Sequence, residues 1–286
     1  MRILTIGNSF TDSLADCFPP AAASAGAELH LEFADFGGCE MARHWSYIQA
    51  EEHGGPDCRI YQGRSKLRDI LARGWDMVTI QQASHDSWRP ETFEPYAGFL
   101  VSYIREHAPR AEIVIQQTWA YRADHPQFQA GSEWGITQNE MYCRLTRNYL
   151  ALGERRKLRI IPTGYAVQLS RAEAEAPFVP YPAELIDKLR WPDLPPQAGD
   201  VAGRCFWRKN QDGELEIARD LTHLNIRGKY LQSCVWLGFC FGIDPETVRY
   251  VPEEIGNSDA AFLRRVAGKA LATFAEHAAR FRGEIV

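Results

Sequence analysis

The chain has 286 residues, is 45% hydrophobic and 24% charged, and carries a formal charge of −5. This is an ordinary globular composition with enough apolar material for one core, and the mild acidity points to no nucleic-acid or anionic-membrane partner. No apolar run approaches the roughly 18 residues of a membrane span, and the N-terminus lacks a basic n-region and a signal h-region, so the expected location is the cytoplasm.

The first strand is predicted at RILTI (2–6) and runs directly into GNSFT. A helical pattern follows, in which Pro19 and Pro20 interrupt the helix or start a new turn. Further strands are predicted at ELHLEFA (28–34), MVTIQQ (77–82), EIVIQQT (112–118) and LRIIPT (158–163). Most of these are short, apolar and rich in Ile and Val, as strands buried on both faces should be. Helical patterns lie between them, at SKLRDILARG with Gly74 as a C-terminal cap, at FEPYAGFLVSYIREHA, and from about Thr137 to Arg156. The alternation predicts an α/β fold, a three-layer α/β/α sandwich around a five-stranded, mainly parallel sheet of flavodoxin-like type.

Residues 164–219 break the alternation. They hold two Pro-rich runs and a hairpin pattern, CFWRKNQDGELEIA, turning at Asp212-Gly213. We read them as an insertion within a single domain spanning 1–286. Two helices complete the chain. GKYLQSCVWLGFCFG should be buried, and the last places Leu263, Val266, Ala267, Ala270, Leu271 and Phe274 on one face. The seven cysteines are an odd number with no CxxC, so neither a disulfide framework nor a zinc site is expected. No metal-ligand spacing, GxGxxG or Walker loop appears, and no cofactor is expected.

In an open parallel sheet, ligands collect outside the carboxyl ends of the strands. Asn8, Ser9 and Thr11 stand at such an end, before a helix. A Ser there can be an N-cap, an anion contact or a nucleophile. A serine hydroxyl is a poor nucleophile unless an imidazole takes its proton and a third group fixes the imidazole's tautomer. Asp220 and His223, in ARDLTHLNIRGKYL, supply both groups within one turn.

Together the two stretches resemble a known family. GNSFT is similar to the GDS-type nucleophile block of the SGNH (GDSL-like) hydrolases, and DLTHLN to their final Asp-x-x-His block. The likeness extends through FGGCEMARHW, WDMVTIQQASHDS, IQQTWAY and HLNIRGKYLQSCVWLGFCFG, to about residue 245, and points to an uncharacterised bacterial subgroup. The resemblance implies a serine esterase, with Ser9 as nucleophile, His223 as base and Asp220 orienting it. It also implies an oxyanion hole from the Ser9 N–H, a Gly N–H after the second strand and an Asn side chain after the third. Gly38 is the expected glycine. Where the family shows Gly-x-Asn-Asp, this chain has Ala83-Ser84-His85-Asp86, so His85 or Gln82 is expected to replace the Asn. Asn8 holds the nucleophile loop, and Trp45, Gln117 and Trp119 are further candidates for the pocket wall, with Asn8 beside them. His44 follows Gly38 closely and is a candidate too. Trp88, Tyr121, Trp134 and Trp207 are candidates for stacking on a sugar.

The resulting expectation is hydrolysis of a short acyl ester, most of all an O-acetyl group on a carbohydrate. Alternatives are a small-molecule esterase, a thioesterase or lysophospholipase of the same fold, and a non-catalytic module binding a sugar or anion at the helix N-terminus.

Overall fold

The computed structural model describes residues 1–63 and 65–283. Five strands form one all-parallel sheet: β1 (Arg2–Ile6), β2 (His30–Phe33), β3 (Met77–Ile80), β4 (Glu112–Gln116) and β5 (Arg159–Ile161), in the order β2-β1-β3-β4-β5. The register is continuous, with Leu4 beside Glu32 and Val78, Val78 beside Ile113, and Ile115 beside Ile160. Ile3, Leu4, Val78, Ile80, Val114 and Ile115 are all fully buried or nearly so, which is why these runs show no polar alternation.

The crossover helices are α2 (Leu14–Ser24) between β1 and β2, α3 (Met41–His53) and α4 (Leu67–Leu71) between β2 and β3, α5 (Tyr96–His107) between β3 and β4, and α6 (Gln138–Arg156) between β4 and β5. Ahead of α2 stands the single turn α1 (Ser9–Asp12). The chain moves one way from β1 to β2 and the other way from β2 onward. Right-handed crossovers then put α2 on one face and α3, α4 and α5 on the other. α7 (Thr163–Glu173), α9 (Ile226–Phe241) and α10 (Asn257–Gly283) join α2, since α9 packs on α2, α7 and α10. The order reverses at β1, so a crevice opens between the loops after β1 and β3.

The predicted strand ends are longer than the observed ones. Gln81, Gln82, Gln117 and Thr118 directly follow the apolar runs of β3 and β4, but pairing stops at Ile80 and Gln116 and the chain turns out to build loops. Pro19 and Pro20 do not interrupt α2, which passes through both, and the break falls instead at Ser13, between α1 and α2. Gly74 adopts φ +81°, but α4 ends at Leu71, so Gly74 shapes the turn into β3 and does not cap the helix.

Within residues 164–219, the first ten belong to α7, which packs on α9 and α10. A Pro-rich run with α8 (Ala183–Ile186) follows, then the predicted hairpin of β6 (Ala202–Lys209) and β7 (Leu215–Leu224), with Gly213 at φ +82° in its turn. Leu263, Val266, Ala267 and Ala270 of α10 are fully buried. Among the described residues no helix is long and apolar enough to cross a membrane, and the seven cysteines are free thiols, four of them buried.

Gly164 lets the first turn of α7 lie on the loop after β4. A methyl at that position would overlap the Thr118 carbonyl, part of the backbone that carries Trp119. Gly164→Ala should cost about 1–3 kcal/mol, read as a lowered urea midpoint. An unchanged midpoint would mean that this contact is loose.

Candidate active site

The turn after β1 is built around Asn8. It caps α1, its Oδ1 accepting from Phe10 N–H (3.1 Å), while Thr11 returns a side-chain bond to the Asn8 N–H (3.3 Å). Such caps contribute roughly 1 kcal/mol. The Asn8 amide also donates to the Cys39 carbonyl (3.1 Å), and Gln81 donates to Asn8 Oδ1 (2.8 Å). Asn8 is 1% exposed, so it organises the turn and does not line a pocket. Gly7 must be glycine, because a Cβ there would strike the Thr11 hydroxyl. Its carbonyl accepts from His44 Nε2 (2.8 Å), and His44 is fully buried with Nδ1 on the Tyr61 hydroxyl (2.8 Å). Burial pushes His44 down to about 4, so it is a neutral strut and not a pocket residue.

With Asn8 as the cap, the Ser9 hydroxyl is free for another partner. It lies 2.8 Å from His223 Nε2, across 214 residues of sequence. His223 Nδ1 lies 3.0 Å and 3.1 Å from the two Asp220 oxygens. A carboxylate only accepts, so Nδ1 carries the proton and Nε2 is left to accept from Ser9. Burial alone would raise the Asp220 carboxyl. The hydrogen bonds from the His223 ring and backbone, the His223 charge and the Thr222 N–H outweigh it and hold Asp220 well below the usual carboxylate range.

Asp220 and His223 belong to β7, not to a helical turn. Arg204 pairs with Asp220 and Ala202 with Leu224, so four steps on β7 face two on β6. This bulge folds the His223 N–H back onto Asp220 Oδ1 (3.1 Å) and brings both side chains to one side. Gly203, opposite the bulge, has φ +79°, and a Cβ there would crowd Arg122 and the Asp220 carbonyl.

Trp119 anchors the bulge to the sheet. Its indole N–H donates to the Thr222 carbonyl (2.9 Å), and its ring stacks on Phe10 at 4.0 Å and 6°. Phe10 in turn meets the His223 ring edge-on at 5.5 Å. Trp119 is fully buried, so the sequence-based assignment to the pocket wall is corrected: it holds the backbone next to His223 from the interior. Gln117 is also corrected. Its amide is buried between Thr146 Oγ1 (3.0 Å) and Tyr165 N–H (2.9 Å), where it ties α6 to the start of α7. Trp45 faces away from the crevice and packs on Phe99 at 4.9 Å, because its face of α3 is the one that meets α5.

The expected oxyanion donors are placed unequally. Gly38 is exposed, with φ +58°, in the loop that Asn8 tethers. Ser9 is the first residue of α1, where a backbone N–H has no intrahelical acceptor. Gln82 is fully buried, its oxygen accepting from Met41 N–H and Ala83 N–H (2.9 Å each) and its nitrogen donating to Thr92 O (2.8 Å). It therefore braces three loop segments and is not presented to a substrate. His85 sets Nε2 on Glu40 Oε1 at 3.2 Å. A neutral ring has one N–H, and in this arrangement Glu40 takes it.

Glu40, His85 and Asp86 bring ligand-type atoms within 4.8 Å of one another, a juxtaposition that their spacing in the chain does not reveal. Their chemistry would suit a divalent cation, but Arg43 already lies 3.1 Å from Glu40 and Arg89 3.6 Å from Asp86. Sequence reading also missed Phe10 and Thr222, for which the only signal was their place in the chain beside Ser9 and His223.

Solved structures resemble this architecture. A candidate SGNH hydrolase from Slackia heliotrinireducens superposes with TM-score 0.50 at 20% identity, over 82% of this chain and 96% of that one. The fold is thus that of the SGNH hydrolases, the class anticipated from GNSFT and DLTHLN. The family described as Domain of unknown function (DUF4886) matches residues 2–176, and the chain belongs to it. A DUF4886 family protein from Bacteroides uniformis superposes with TM-score 0.72 at 22% identity, over 95% of each chain. No curated protein matches the chain.

A carboxyl held below its ordinary pKa adds stability that is complete above about pH 4 and is lost as pH falls toward its native value. Asp220→Asn should therefore lower the urea midpoint at neutral pH, with the gap to wild type narrowing below about pH 4. A gap that stays constant into acid would contradict this role for the carboxylate.

Proposed function

We propose that the protein is a serine esterase. The observation that carries this reading is the line Ser9 Oγ, His223 Nε2, His223 Nδ1, Asp220, with contacts of 2.8 Å and 3.0 Å. Ser9 attacks the ester carbonyl while Nε2 accepts its proton. Asp220 holds the imidazole tautomer and stabilises the imidazolium that forms. The N–H groups of Ser9 and Gly38 receive the developing oxyanion, and preorganised donors of this kind contribute a few kcal/mol each. The imidazolium protonates the departing alcohol. Water, activated by the same imidazole, then releases the acid from the acyl-enzyme.

A short acyl group on a carbohydrate is the substrate class we favour. The His223 side chain is 41% exposed, which suits a small ester carried on a large solvated partner. Tyr121 lies against Phe10 at 6.4 Å and continues into Trp134 at 5.6 Å and His125 at 4.7 Å. Trp134, His125 and Phe128 are partly exposed, reached from the Ser9 turn through two rings, Phe10 and Tyr121, and offer aromatic surface for a sugar. Trp88 and Trp207 support the idea less. Trp88 is buried, with Arg89 over its ring, and Trp207 donates to the Asp193 carbonyl.

Hydrolysis of p-nitrophenyl acetate, longer p-nitrophenyl esters and acetylated sugars tests both parts. Ser9→Ala and His223→Ala should each lower kcat at least about 10³-fold, with Asp220→Asn losing about 10²–10⁴-fold. Acetyl esters should be the best substrates. Equal turnover by Ser9→Ala and wild type would refute the nucleophile, and a preference for long acyl chains would refute the substrate class.

A further inference from the structure

The loop after β4 runs alongside β7 in the opposite direction and touches it at three successive points. The Trp119 indole donates to the Thr222 carbonyl (2.9 Å), and the Arg122 N–H donates to the Leu221 carbonyl (3.0 Å). Beyond them Arg219 Nη2 donates to Asp124, to Oδ2 at 2.9 Å and to the carbonyl at 3.5 Å. Asp220 lies between Arg219 and Leu221, so the second and third contacts bracket it. The bracket falls where β7 most needs one. The β6–β7 ladder shifts register between Ala202 and Arg204, and a bulge interrupts the cross-strand bonding that would otherwise hold the backbone.

Asp124 is a fixed anchor. Arg122 grips it with two parallel bonds, Nε to Oδ1 at 2.7 Å and Nη2 to Oδ2 at 3.0 Å. The Arg122 side chain is 2% exposed and that of Asp124 9%. Phe178 lies over the guanidinium at 4.5 Å, and Cys205 Sγ of β6 meets Nη2 at 3.6 Å. Burial alone would raise the Asp124 carboxyl, but the hydrogen bonds and charges of Arg122 and Arg219 outweigh it and hold it below the usual carboxylate range. Arg219 is half-buried, so its bond to Asp124 is less screened than the exposed Arg208–Glu216 pair at the other end of the hairpin.

We infer that Asp124 is a positioning residue for His223: by gripping Arg219 it pins the bulge of β7 to the loop after β4, and so sets where His223 Nε2 meets the Ser9 hydroxyl. The inference rests on the reading of Ser9 as nucleophile and His223 as base. Asp124 acts through Arg219 and the backbone that follows it, not on the reacting atoms. Without the grip β7 is free to shift at Asp220, and a misplacement of about 1 Å costs a reaction up to about a hundredfold.

Arg219→Ala is the variant that tests this, because Asp124→Ala would leave the buried Arg122 charge unpaired. With p-nitrophenyl acetate, Arg219→Ala should lower kcat about tenfold and leave KM unchanged. Arg219→Lys, which keeps a cation on Asp124, should recover most of that loss. Amide hydrogen exchange reads the same contact without turnover. The Arg122 N–H should exchange about fivefold faster in Arg219→Ala, while the amides of β3 keep their wild-type rates. Wild-type kcat in Arg219→Ala, or an unchanged Arg122 amide, would overturn the proposal. So would equal acceleration throughout β3, which marks general destabilisation. A wild type without turnover defeats the esterase reading alone, and the exchange comparison then decides whether Asp124 pins β7.

Discussion

His223 sits on a strand that does not belong to the parallel sheet, and the geometry of the site follows from how that strand is held. β7 pairs with β6 in a two-stranded sheet of its own, so the register of the parallel sheet does not fix His223 over the turn after β1. The loop after β4 does so, through the Arg122 N–H on the Leu221 carbonyl (3.0 Å) and the Trp119 indole, which bonds the Thr222 carbonyl and stacks on Phe10. Phe10 is the neighbour of Ser9 in sequence. One aromatic pair thus joins the Ser9 turn to the bulge that carries His223. Such a stack contributes about 0.5–1.5 kcal/mol beyond its buried area, which is small for stability but decisive for a contact 2.8 Å long.

The turn itself is over-determined. Asn8 satisfies the α1 terminus, the Cys39 loop and Gln81 at once, and His44 fixes the carbonyl of Gly7 from the far side. This division of labour explains why a serine at a helix start is not used as the cap. The neighbouring asparagine caps, and the serine hydroxyl points across to the imidazole. The crevice lies where strand order reverses, so loops after β1, β2 and β3 all reach it, and they supply Ser9, Gly38 and His85 respectively.

Much of this could be read from the sequence, and the failures have a common physical cause. The five strands announced themselves as apolar runs because a parallel sheet covered on both faces demands them. Ser9, Asp220 and His223 were legible as a pattern, although the bulge that converges the last two was not, since it depends on Gly203 across the hairpin. The polar and aromatic residues at strand ends were misread. Gln82, Gln117 and Trp119 look like rim residues, but each is buried and saturated by loop backbone or side chains that come from distant positions. Competition among hydrogen-bond partners decides whether an amide faces a substrate, and that competition is not written in local sequence. His85 illustrates the same point, since Glu40 takes its N–H from another loop.

In the proposed chemistry the Ser9 hydroxyl is made nucleophilic by His223. Labelling with a fluorophosphonate, followed by peptide mass mapping, tests it without knowledge of the substrate. A single adduct is expected on the peptide containing Ser9, formed by wild type and not by His223→Ala. An adduct elsewhere, or labelling of Ser9 at an equal rate without His223, would contradict it.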